Sequence, residues 1–187
     1  MISFQNTHKT VLTAANCFEQ GEVEKVIVVA ADHDRVNNDR TEIRIDVSAS
    51  GIHIHPKRDR IAHDLAIIRL IDALPIGGRD TYKIDYACLP AEGQVIEPGT
   101  KCWAAGWGLR NEGRQPQDLR EVDLNVYSDE ECKSKLDMFY YKEDTYDIMM
   151  CAGNDKVGIF HKMALTHWFL WKSRDLVKSC SIKYHPL

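Results

Sequence analysis

The middle of this 187-residue chain alternates apolar and polar positions with a period of two. That is the repeat of a strand burying one face. Residues 42–47, Glu-Ile-Arg-Ile-Asp-Val, follow it, and residues 121–126, Glu-Val-Asp-Leu-Asn-Val, follow it again. Residues 52–56, Ile-His-Ile-His-Pro, alternate until the proline stops them. Two other runs are almost continuously apolar: the valine-rich residues 23–31, and residues 65–70, broken only by Arg69. Turn-forming clusters separate these segments, at residues 32–40, Gly77-Gly78, Glu97-Pro98-Gly99 and Asn111-Glu112-Gly113. Many short strands divided by regular turns predict an all-β sandwich or barrel.

One helix stands out from the strands. Ser128 suits an N-cap and Glu131, three residues on, completes a capping box. Asp129 and Glu130 suit the positive end of the helix dipole. The helix is expected to reach about Met138, followed by an aromatic, acidic loop over residues 139–147. The C-terminal stretch differs in kind. Phe160, Ala164, Trp168 and Trp171 fall at roughly helical spacing and permit an amphipathic segment, although residues 168–171 are all apolar. That segment reads either as a partner-binding or membrane-surface helix, or as unselected sequence, and the second reading is preferred. No internal repeat or low-complexity linker is present.

Composition narrows the function classes. Hydrophobic residues make up 44% and charged residues 28%, ordinary for a globular chain with a core. The formal net charge is −4, with the two signs interspersed. A nonspecific nucleic-acid binder needs a basic face, so no nucleic-acid partner is expected. No run approaches the about 18 apolar residues of a membrane-spanning helix. Six cysteines allow a disulfide framework of the kind exported proteins carry, yet the N-terminal residues lack the basic and apolar regions of a signal peptide. A chain whose original start was lost would reconcile the two.

Short motifs carry the chemistry. Residues 11–17 read Val-Leu-Thr-Ala-Ala-Asn-Cys, and residues 64–70 read Asp-Leu-Ala-Ile-Ile-Arg-Leu. Cys88-Leu89-Pro90 follows, then Cys102-Trp103-Ala104-Ala105-Gly106-Trp107-Gly108. Ser128-Asp129-Glu130-Glu131-Cys132 and Met149-Met150-Cys151-Ala152-Gly153 complete the series. In order and spacing these resemble the motifs of the trypsin/chymotrypsin-like serine proteases over residues 1–153. Residues 154–187 resemble no family and are expected to form a divergent tail. The resemblance implies a double β-barrel, here incomplete: the chain starts partway into the first barrel, without the family's Ile-Val-Gly-Gly, and residues 154–187 hold no Gly-Asp-Ser-Gly-Gly-Pro. Ser173, Ser179 and Ser181 lack the flanking glycines of an oxyanion hole.

The resemblance also assigns roles. The family's first motif ends in Ala-Ala-His-Cys, so Asn16 stands where the general-base histidine belongs, and Asp64 matches the triad aspartate. An amide can hydrogen-bond but cannot take and return a proton. Asp64 is therefore expected to be a vestigial carboxylate that bonds Asn16 or nearby backbone. The family pairs the equivalents of Cys132 and Cys151. It gives Cys17, Cys88 and Cys102 partners that this chain does not contain. Cys180 could meet Cys102, although it reads better as an unrelated thiol. His63, beside Asp64, and His8, well before Asn16, do not replace the missing base. His53 and His55 share one face of a strand, but a zinc site needs further ligands. Neither a metal nor any other cofactor is expected. Gly106 and Gly108 read as a close backbone approach, not a phosphate loop.

The expectation is thus a non-catalytic serine protease homologue, any remaining role being the binding of a protein partner. The alternative is a truncated or mis-spliced product of an active, secreted serine endopeptidase gene. Both imply open sheet edges, and hence a tendency to aggregate.

Overall fold

The structure is a computed structural model that describes residues 2–3, 8–18, 26–59, 62–76, 84–87, 90–91, 93–108, 114–136, 150–154, 157–160, 169–171 and 180–183. Its strands are β1 (Ile2–Ser3), β2 (Thr10–Thr13), β3 (Val26–Ala30), β4 (Ile43–Val47), β5 (Ile52–Ile54), β6 (Ala66–Arg69), β7 (Lys101–Gly106), β8 (Arg120–Val126), β9 (Ala152–Asn154), β10 (Val157–Phe160), β11 (Phe169–Trp171) and β12 (Cys180–Lys183). Among the described residues one α-helix, α1 (Asp129–Leu136), lies between β8 and β9.

The strands form three sheets, in the orders β1-β2-β6-β5, β12-β3-β4 and β10-β9-β8-β7-β11. The first two enclose one core. Val11, Val26, Val28, Ala30, Ile45, Val47, Ala66 and Ile68 are buried in it, with Leu70, Leu74 and Ile84. These are the alternate positions of β4, where Ile45 and Val47 are buried and Arg44 and Asp46 exposed, and the alternate positions Val26, Val28 and Ala30 of β3, whose pattern is continuously apolar and whose Val29 is buried as well. The third sheet carries a smaller core of Ala104, Leu124 and Ala152, with Val122 packed against it. The architecture is all-β, as the alternation predicts, and the described sheets do not close into barrels.

Among the described residues a β-bridge, Asp34 to Asp118, ties the first lobe to the second. Arg35 N–H donates to Gln117 O at 3.0 Å and Leu119 N–H to His33 O at 2.8 Å. The Asp34 carboxylate accepts from the Asn37 side chain at 2.9 Å and from Gln117 Nε2 at 2.8 Å. These bonds, with the backbone N–H groups of Asn37 and Val36, hold the Asp34 carboxyl well below the usual carboxylate range. Asn37 is the strongest of the causes.

α1 begins as its sequence predicts. Glu131 N–H donates to Ser128 Oγ at 3.2 Å, and Ser128 N–H donates back to Glu131 Oε2 at 2.9 Å. The helix is described as far as Leu136, and residues 137–149, including Met138 and the predicted acidic loop, lie outside the described residues. Gly153 is fixed by its neighbour: a Cβ there would sit 2.7 Å from the Tyr127 hydroxyl.

The C-terminal segment departs from its helical spacing. Phe169–Trp171 is extended and pairs antiparallel with β7, Trp171 opposite Trp103. Cys180–Lys183 pairs with β3, Cys180 opposite Ala30. Val157–Phe160 pairs with β9. Backbone pairing at sheet edges outweighs the weak 3.6-residue repeat, while Ala164 and Trp168 lie outside the described residues. Cys180 is on the first lobe's sheet and Cys102 on β7 of the second.

Candidate functional site

The site forms where two paired strands deliver their ends to one place. β2 and β6 run antiparallel with Thr13 opposite Ala66. The residues just after β2 and just before β6 therefore meet. After β2 the chain makes a short 3-10 turn, Ala15–Phe18, that places Asn16 half-buried. Ala14 and Ala15 are fully buried, which only small side chains permit so close to the core. Before β6, backbone bonds hold the described residues 55–59 and 62–65: Arg58 N–H donates to His55 O at 2.9 Å and Asp59 N–H to Ala62 O at 3.1 Å.

These two ends bring Asn16 and Asp64 together. Asn16 backbone N–H donates to Asp64 Oδ1 at 2.8 Å. The same oxygen lies 3.5 Å from Arg58 Nε. The side chains of Arg58 and Asp64 are only 9% and 12% exposed, so this is a largely desolvated ion pair. Arg58 Nη1 donates to Ala62 O at 3.2 Å, folding the guanidinium back over its own turn. Cys17, next to Asn16, has its thiol pKa raised, first by burial and then by the Asp64 charge.

The other histidines take up different positions. His63 adopts a left-handed backbone, φ 54°, and stacks on His55 with ring centroids 4.9 Å apart. His55 Nδ1 accepts the Lys57 N–H at 3.2 Å. His8 meets Tyr86 edge-on at 5.7 Å, while His53 is exposed on β5. None of these contacts joins a histidine to Asp64. Gly106 ends β7 opposite Arg120.

The turn at residues 32–42 carries a feature that composition alone hides. Asp32, Asp39 and Glu42 offer carboxylate oxygens within 4.8 Å of one another. Oxygen donors of this kind suit a hard divalent cation. Part of their charge is already answered: Asp39 Oδ2 accepts from His33 and Asp34 N–H, and Glu42 Oε2 pairs with Arg44 at 2.6 Å. In sequence Asp32 and Asp39 read as a turn and Glu42 as the start of the next strand, and the signal that could have marked them is the recurrence of acidic residues across that boundary.

Cys132 in α1 is bonded to Cys151, just before β9, with the Cα atoms 5.5 Å apart. The bond anchors the helix to the second lobe's sheet. Cys102 is buried on β7. Cys88 lies outside the described residues.

The chain resembles known proteins over most of its length. The trypsin family profile matches residues 3–160. The chain is 29% identical over 150 residues to chymotrypsin-like elastase family member 1 of Homo sapiens, covering 79% of this chain and 55% of that protein. The Rattus norvegicus protein of the same name is 29% identical over 150 residues, with coverages of 79% and 53%. Among solved structures, one described as "Structure of GrC" is similar with a TM-score of 0.62 and 27% identity, covering 80% of this chain and 61% of that one. The profile covers most of the chain and defines its class: the chain belongs to the trypsin family of serine proteases. It spans about half the length of the curated relatives it matches. Among the described residues no helix is long and apolar enough to cross a membrane.

Sequence motifs thus locate Asn16 and Asp64, and the fold brings them together. Arg58 is the member of the site that sequence reasoning missed. It sits in a Lys-Arg-Asp-Arg run that looks like exposed charge, and only its burial reveals its place.

Proposed function

We propose that this chain is a non-catalytic member of the trypsin family, with any role exerted by binding a protein partner. The observation that carries the reading is Asn16. By the resemblance of residues 11–17 it stands where the family has its general base, and its backbone N–H meets Asp64. A serine protease needs a side chain that takes the nucleophile's proton and returns it to the leaving group. The Asn16 amide has no such basic site near neutral pH. Asp64, whose role would be to orient a histidine, instead caps the 3-10 turn. Losing one member of such a unit can reduce kcat on the order of a millionfold.

In this reading residues 1–153 are the family part and residues 154–187 a divergent addition. No cofactor or nucleic acid enters it. The Cys132–Cys151 bond supports an oxidising, extracellular setting.

Hydrolysis of a generic peptide ester tests the proposal. The unaltered chain and its Asn16→His variant are both expected to match the buffer rate. Turnover by the unaltered chain would overturn the reading. Turnover by the variant alone would restrict the defect to position 16 and reveal a nucleophile in place.

A further inference from the structure

We propose that Arg58 is a positioning residue that supplies the opposite charge to Asp64 in a chain whose position 16 holds no histidine. The inference rests on the reading of Asn16 above. A carboxylate with 12% of its surface exposed has lost most of its hydration and needs hydrogen bonds and an opposite charge. Asn16 N–H supplies a neutral donor at 2.8 Å. The charge comes from Arg58, whose Nε is 3.5 Å from the same Oδ1. That separation is long for a charge-assisted hydrogen bond, so the attraction is chiefly Coulombic.

The placement of Arg58 is built by its turn. An arginine on a polar surface turn normally extends into water, but this one is 9% exposed. Nη1 is held by Ala62 O at 3.2 Å. The Arg58 N–H to His55 O bond fixes the start of the turn. The stacked His55 and His63 rings hold its two sides together. Arg58 from this turn and Cys17 from the 3-10 turn both interact with Asp64, and His63 is its neighbour in the chain.

One consequence separates this role from ordinary packing. A histidine restored at position 16 would find Asp64 already neutralised. Its imidazolium would gain little from the carboxylate and would be repelled by the guanidinium. Removing Arg58 would return the carboxylate to it. NMR titration of the introduced imidazole measures this directly. Its pKa in Asn16→His/Arg58→Met is expected to exceed that in Asn16→His by about one unit or more, an opposite charge being worth that much at this range. Arg58→Lys in the same background should keep most of the low value. Adding Asp64→Asn to the Arg58→Met pair should abolish the rise. Equal pKa values in the first two variants would overturn the proposal.

If the Arg58→Met protein does not fold, the arginine itself reports in the unaltered chain. Its Nε–H resonance should exchange more slowly than those of exposed arginines and should shift on Asp64→Asn. An Arg58 Nε–H that exchanges freely and ignores that substitution would also overturn it. These outcomes bear on Arg58 alone, whereas ester hydrolysis bears on the loss of catalysis.

Discussion

At position 16 an amide is held in a closely built setting. The alanines before it are buried, the turn is formed, and Asp64 arrives at hydrogen-bonding distance. The same carboxylate acts on Cys17, whose thiol pKa is raised by burial first and by the Asp64 charge second. A raised thiol pKa leaves less thiolate at a given pH, so Cys17 should alkylate with iodoacetamide at about pH 8, near the ordinary thiol pKa, more slowly than a model thiol. Asp64→Asn removes the nearby negative charge and should speed the reaction. A rate that does not change on that substitution would show that the charge does not reach the sulfur. Asn16 and Asp64 were legible in the sequence because each lies inside a run whose neighbours are constrained by the core. Arg58 was not legible, because nothing in Lys-Arg-Asp-Arg distinguishes a solvated guanidinium from one folded back onto a carbonyl.

Elements followed from pattern where pattern had a single physical cause. β4 and β8 alternate because one face of each is buried, and α1 starts at Ser128 because its hydroxyl meets the Glu131 N–H. Ser128→Ala should cost about 1 kcal/mol in a urea titration, the usual value of an N-cap oxygen, and an unchanged midpoint would remove the cap from the account. The Cys132–Cys151 bond closes a sequence separation of 19 residues, and its reduction should lower stability by about 3 kcal/mol in the chain-entropy view. Peptide mapping that joins Cys132 to Cys102 or Cys180 would contradict the register of the second lobe. The C-terminal strands were illegible for a different reason. Their conformation is set by the edges of β7 and β3, a long-range cause that leaves only a faint local signature in consecutive aromatic residues.

Across the whole molecule, edges and one latch decide the behaviour. With β11 and β12 in place, β7 and β3 each have a neighbour on both sides. Deleting residues 161–187 would leave both strands with unpaired backbone groups, which invite pairing with other chains. The deleted protein should therefore sediment as larger species at concentrations where the full chain does not, and an unchanged distribution would show that the tail guards neither edge. The latch is Asp34, whose carboxyl is held low by Asn37, Gln117 and Val36. A depressed folded pKa means that its contribution is present above the unfolded carboxylate value of about 4 and is lost as pH falls through the lower folded value. The Arg35 and Leu119 amide resonances, which report the bridge between lobes, should thus move only in strong acid. In Asp34→Asn that acid transition should vanish. The central claim, that the family's fold persists here without its chemistry, is tested most directly by a fluorophosphonate probe for activated serines. The native chain is expected to label no more than the same chain after heat denaturation. Covalent labelling of the native protein that denaturation abolishes would contradict it.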